Sequence, residues 1–97
     1  MDGKIMQEAT GFVGITEPQK IAYNTTVTIQ TNFTPKILLA NAIINSRYNI
    51  GLGLKPDSVV YFPSAGQYIT VDDWGDSYIK FSTVNISGLS FLVTVLG

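Results

Sequence analysis

Apolar and polar residues alternate along much of this chain, with the period of a β-strand. The clearest stretch is 23–31. Tyr23, Thr25, Val27, Ile29 and Thr31 fall on one face, and Asn24, Thr26, Thr28 and Gln30 fall on the other. Period two with β-branched residues marks a strand with one wet face. The same pattern predicts a strand over 77–84, with Ile79 and Phe81 inward and Tyr78, Lys80 and Ser82 outward. Shorter strands are expected over 59–62 and 68–71. Ile50, Leu52 and Leu54 alternate with Gly51, Gly53 and Lys55. That predicts a strand whose outer face is glycine, open to close approach by another backbone or ring.

Two segments are apolar on both faces. The run 37–44 sets Ile37, Leu39 and Ile43 against Leu38, Ala40, Ala42 and Ile44. A helix could absorb it, but strands flank it and no cap precedes it, so it reads as a central strand covered on both sides. The run 91–96 sets Phe91, Val93 and Val95 against Leu92, Thr94 and Leu96. Turns are expected at Glu17-Pro18-Gln19, at Thr34-Pro35, at Pro56-Asp57, after Pro63 and at Asn85-Ile86-Ser87-Gly88. A polar loop is expected over Asn45-Ser46-Arg47-Tyr48-Asn49, and Asp72-Asp73-Trp74-Gly75-Asp76 reads as a hairpin tip. Seven or eight short strands without a convincing helix mean a sandwich or barrel. The expected arrangement is an all-β, antiparallel, jelly-roll-like sandwich over 9–97, preceded by a loose lead-in over 1–8.

Composition adds a constraint. Of 97 residues, 45% are apolar and only 13% are charged, about half the usual charged share. A lone particle this poor in charge has difficulty covering its surface with soluble groups, so part of it is expected to be covered by other copies or chains. The net charge of −1 supplies no basic field for nucleic acid or anionic lipid. The apolar runs are too short for a helical membrane span. No cysteine is present, so no disulfide holds the fold.

Histidine is absent too. Without imidazole or thiolate there is neither a usual base–nucleophile pair nor a zinc ligand set. Glu8, Glu17 and Asp57 give no sign of a paired-acid glycosidase site. The chain therefore reads as non-enzymatic, with no cofactor and no metal. Asp72, Asp73, Trp74 and Asp76 make the most suggestive surface group. An exposed indole beside carboxylates suits a sugar, whose CH groups stack on the ring while its hydroxyls meet acceptors. The alternatives are a solvated turn with Trp74 folded back on the sheet or on a neighbouring subunit, and a calcium site that the spacing does not support. Arg47, Tyr48 and Asn49 could likewise meet a glycan or a protein partner, or simply connect two strands. The three Asn-x-Ser/Thr matches, beginning at Asn24, Asn32 and Asn85, read as incidental. Gly51, Gly53, Leu92 and Leu96 are candidates for packing within or between chains.

Two patches carry a resemblance. One is a strand followed by Phe33-Thr34-Pro35-Lys36 and then an apolar strand; the other is Asn85-Ile86-Ser87-Gly88 before an aromatic and apolar strand ending at Gly97. In this order they resemble the small β-domains of bacteriophage tail-fibre, baseplate and minor structural proteins. The resemblance covers roughly a quarter of the chain. It implies a β-sandwich module, often trimeric, on a virion or prophage-derived particle assembled in the bacterial cytoplasm. Such modules hold a fibre together or touch the host surface, commonly a cell-wall sugar, so other virion proteins and bacterial glycan are the implied partners. Family modules usually end long chains, whereas this one begins with its own methionine, so a separate gene product or an excised domain is expected. A monomeric carbohydrate-binding module is the alternative, and an adaptor that adds an edge strand to a partner is a third.

Overall fold

The computed structural model describes residues 14–44, 46–63, 65–84 and 91–97. Within them the chain forms eight strands: β1 (Gln19–Ile21), β2 (Thr26–Gln30), β3 (Ile37–Ile44), β4 (Arg47–Leu54), β5 (Val59–Phe62), β6 (Gln67–Trp74), β7 (Tyr78–Ser82) and β8 (Phe91–Leu96). They make two antiparallel four-stranded sheets, ordered β1-β8-β3-β4 and β2-β7-β6-β5, here sheet A and sheet B. The expected all-β sandwich is the observed architecture. β3 and β4 form a hairpin within sheet A, while β5, β6 and β7 form a meander within sheet B. These links give a sandwich and leave the jelly-roll description unsupported. The expected lead-in over 1–8 and the turn over 85–88 lie outside the described residues.

The core forms where the inner faces meet. Sheet A contributes Ile21, Leu38, Ala40, Ala42, Ile44, Phe91, Val93 and Val95, and sheet B contributes Ile29, Val60, Phe62, Ile69, Val71, Ile79 and Phe81. The alternation in β2 and β7 places the inward residues where the sequence predicts them, and in β8, apolar on both faces, Phe91, Val93 and Val95 are the set that turns inward. The corner at Phe33-Thr34-Pro35-Lys36 carries the chain from sheet B to sheet A. Pro35 is buried, Phe33 packs against the core, and the Lys36 amide bonds the Leu96 carbonyl at 2.8 Å while its side chain stays outside. Buried Thr83 ties the β1–β2 connection to the end of β7. Its single hydroxyl proton is shared between the carbonyls of Ala22 (2.9 Å) and Thr25 (3.2 Å), and the oxygen accepts from the Thr25 amide (3.1 Å).

Three expectations are corrected. Of the expected loop over 45–49, residues 47–49 are strand, because Arg47 already opens β4 and pairs with Ile44; Ser46 takes φ 63°. Strand β3 is central but covered on one side only, since its outward residues Ile37, Leu39 and Asn41 are half-buried and Ile43 is exposed. The glycines of β4 face inward and its Ile and Leu side chains face solvent, the reverse of the predicted phase. The reason is volume. A Cβ on Gly51 would stand 3.1 Å from both the Phe62 ring and Val60 Cγ1, and one on Gly53 would collide with Val60 Cγ2. The large residues of β5 occupy the space that side chains on β4 would need, so β4 presents its small positions to the core and its large ones to water.

Candidate functional site

The outer face of sheet A follows row by row from the strand register. At one end Ile15, Leu96, Ile37 and Leu54 lie side by side across the sheet. The next row is Thr94, Leu39 and Leu52. The third is Lys20, Leu92, Asn41 and Ile50, and the last is Ile43 beside Tyr48. Strand β4, at the sheet edge, is the barest part: Tyr48 is 79% exposed, Ile50 60% and Leu52 56%. Seven of the nine exposed large apolar side chains among the described residues belong to this one face; the other two are Tyr61 and Val84. Its sole charged side chain in those rows is Lys20, on the short strand β1. A shallow groove of about 390 Å³ crosses the Tyr48 end, between Lys20, Ile43 and Leu92.

The outer face of sheet B is built from different chemistry. Its rows include Thr26, Ser82 and Thr70, then Thr28, Lys80 and Asp73. Thr26 and Ser82 share a hydroxyl–hydroxyl bond of 3.1 Å, and Ser82 donates to Asp72 Oδ2 at 2.8 Å. Tyr78 donates its phenol to Asp73. That carboxylate, with a smaller contribution from Asp76, holds the Tyr78 phenol above its ordinary range. Tyr61 and Tyr68 form a tilted ring pair, centroids 5.8 Å apart.

The residues proposed for ligand contact do not make one site. Asp72, Asp73 and Trp74 belong to strand β6 rather than to a free tip. A β-bulge between Val71 and Asp73 shifts the register by one residue. Without it the alternation would send Trp74 outward; with it, Asp72 and Asp73 both face solvent and Trp74 turns in against the core. The indole N–H then donates to the Asp57 carbonyl at 2.8 Å, pinning the ring to the β4–β5 corner. Trp74 is therefore not a free stacking platform. The carboxylates of Asp72 and Asp73 are taken up by Ser82 and Tyr78, and no group of three possible metal-ligating side chains forms among the described residues.

Arg47 and Tyr48 lie at the far end of the sandwich, seven residues of strand and roughly 23 Å from the Leu54 corner that Asp57 and Trp74 share. Asn49 points inward and is 3% exposed. Its amide donates to the Arg47 carbonyl at 2.9 Å and closes the β3–β4 hairpin, while its Oδ1 has no partner among the described residues. Asn49 thus serves the turn. Of the packing candidates, Gly51 and Gly53 face the core, whereas Leu92 and Leu96 lie on the outer face of sheet A.

Sequence reasoning missed most of this face, namely Ile37, Leu39, Ile43 and the Ile50–Leu52–Leu54 stripe. One signal was available: glycines alternating with Ile and Leu say that a strand has a thin face and a thick one, but not which is inside. Comparison of the chain with family models, with curated proteins and with solved structures finds no match.

Proposed function

We propose that this protein is a non-catalytic, self-associating structural module of a phage or prophage particle, with a role in assembly or in receptor contact. One observation carries the reading: a charge-poor chain gathers, among the described residues, seven of its nine exposed large apolar side chains on one sheet face. Soluble sandwiches normally keep the outer face of each antiparallel sheet polar, and a contiguous apolar face marks a contact surface. The phage assignment rests on the resemblance of the Phe33–Lys36 corner and the terminal strand. Light scattering across a concentration series tests the self-association. The expected result is a discrete multiple of the 10.6 kDa chain; a clean monomer at millimolar concentration refutes it.

The polar face of sheet B favours a second reading, contact with bacterial surface glycan. The Tyr61–Tyr68 pair stands at its edge beside hydroxyl and carboxylate groups on β6 and β7, the mixture that sugars use. A glycan array probed with wild type and Tyr61→Ala tests it. Loss of signal in the variant supports the reading, and equal signal removes Tyr61 from it.

A further inference from the structure

We infer that the surface through which copies of this chain associate is the outer face of sheet A, packed against the same face of another copy. This rests on the self-association proposed above and adds where the contact lies.

Three arguments select a second copy as the occupant. The first is area. Seven apolar side chains exposed by 42–79% present on the order of 700 Å², near the ~800 Å² that each partner gives to a standard stable interface. The second is charge. The rows of the face hold one charged side chain, Lys20, at its margin, so a partner surface must be apolar and uncharged to match. Among the described residues the chain offers one such surface, which is this face itself; its other broad face carries Asp72, Asp73 and Lys80. The third is shape. A twisted four-stranded sheet is complementary to another sheet about 10 Å away, the packing that its own inner face already adopts against sheet B.

A lipid surface fits less well. Lys36 and Lys55 sit together at the Leu54 end, where Asp57 offsets them, and Lys20 and Arg47 lie apart from that pair. Edge strand β4 would also carry unpaired peptide groups into hydrocarbon, where nothing satisfies them. Against another copy, that edge stays at the wet rim.

The experiment compares wild type, Leu52→Glu, Ile50→Lys and Thr28→Glu by light scattering, with far-UV circular dichroism confirming the β-fold of each. Leu52 and Ile50 point to solvent in the single copy, so their replacement spares the core. A charge buried unpaired in the contact weakens association at least 100-fold, so both variants are expected to run as folded monomers, while Thr28→Glu on sheet B keeps the wild-type mass. The chain's lack of cysteine gives an independent arm. Leu39→Cys, at mid-face, is expected to cross-link between chains through a short bismaleimide, and Thr28→Cys is not. Should wild type associate while Leu52→Glu and Ile50→Lys keep its mass and Leu39→Cys fails to cross-link, the contact lies elsewhere and this inference is overturned, though self-association stands. A monomeric wild type overturns both. A monomeric wild type that sediments with phosphatidylcholine vesicles, and loses this with Leu52→Glu, assigns the face to lipid instead.

Discussion

The two outer faces of this sandwich share a scaffold and differ in nearly every side chain. Both belong to four-stranded antiparallel sheets, and both lie behind inner faces of buried Val, Ile, Leu and Phe. Sheet B turns threonine, serine, lysine and aspartate to water and ties several of them together with hydrogen bonds. Sheet A turns isoleucine, leucine and one tyrosine to the same water. Backbone geometry alone therefore does not decide what an outer face looks like, and the fold does not need an apolar one. Sheet A is dressed as an interior, which points to a covering from outside the single copy.

The sharpest break of that comparison is to make the faces alike. Thr28→Leu, Lys80→Leu and Thr70→Leu together would give sheet B an apolar stripe. One sticky face lets association close on itself; two on opposite sides let it run on without end. The triple variant is expected to lose any discrete mass and scatter light increasingly with time, whereas wild type reaches a plateau. A triple variant of wild-type mass would show that an apolar stripe on a sheet of this protein does not by itself recruit copies.

Next in size is the contrast between adjacent residues of β4. Gly53 faces the core and Leu52 faces out. Gly53→Ala drives a methyl group into Val60 Cγ2 and is expected to cost about 1–3 kcal/mol in urea unfolding, as overpacking does. Leu52→Ala is expected to cost under about 1 kcal/mol in the same measurement on dissociated protein, since it leaves no cavity. Equal costs would mean that the assigned phase of β4 is wrong.

That phase is also where the sequence was hardest to read. In β2 and β7 one set of positions is polar, so the alternation itself says which side is wet. In β4 both sets are apolar in the ordinary sense, glycine against leucine and isoleucine, and preference by size points the wrong way. What settles it is non-local: Val60 and Phe62, on the opposing sheet, leave no room for side chains. For Trp74 the sequence leaves open whether the ring is exposed or folded back on the sheet, for a different reason. Alternation counts residues, and the bulge at Asp72 adds one that counting cannot see. The Phe33–Lys36 corner was legible because proline and its neighbours act locally.

Trp74 yields a smaller effect. Trp74→Phe keeps most of the ring's packing but removes the donor to the Asp57 carbonyl. The expected loss is about 1 kcal/mol, the net worth of an ordinary hydrogen bond, in a denaturant titration. A neutral result would leave the bulge, rather than this bond, as what holds the ring inward.

The smallest effect concerns titration on the polar face. Tyr78 donates to Asp73, whose negative charge opposes loss of the phenolic proton, and Asp76 adds to this. Tyr23 is also raised, by burial, and its hydroxyl has no partner among the described residues. Both phenols thus hold their protons more tightly folded than unfolded. The unfolded chain releases them first as pH climbs past about 10, so the contribution of these phenols to stability is complete below that pH and is lost as pH rises through their folded values. Tyr78 places part of this alkaline sensitivity on the outer face of sheet B, and Tyr23 places the rest against the core beside Phe91. Asp73→Asn removes the largest cause at Tyr78. A difference titration of phenolate absorbance is expected to show one tyrosine moving down toward its ordinary value in the variant. An unchanged titration curve would mean that the Tyr78–Asp73 contact does not persist in solution, and that the polar face is less organised than its hydrogen bonds indicate.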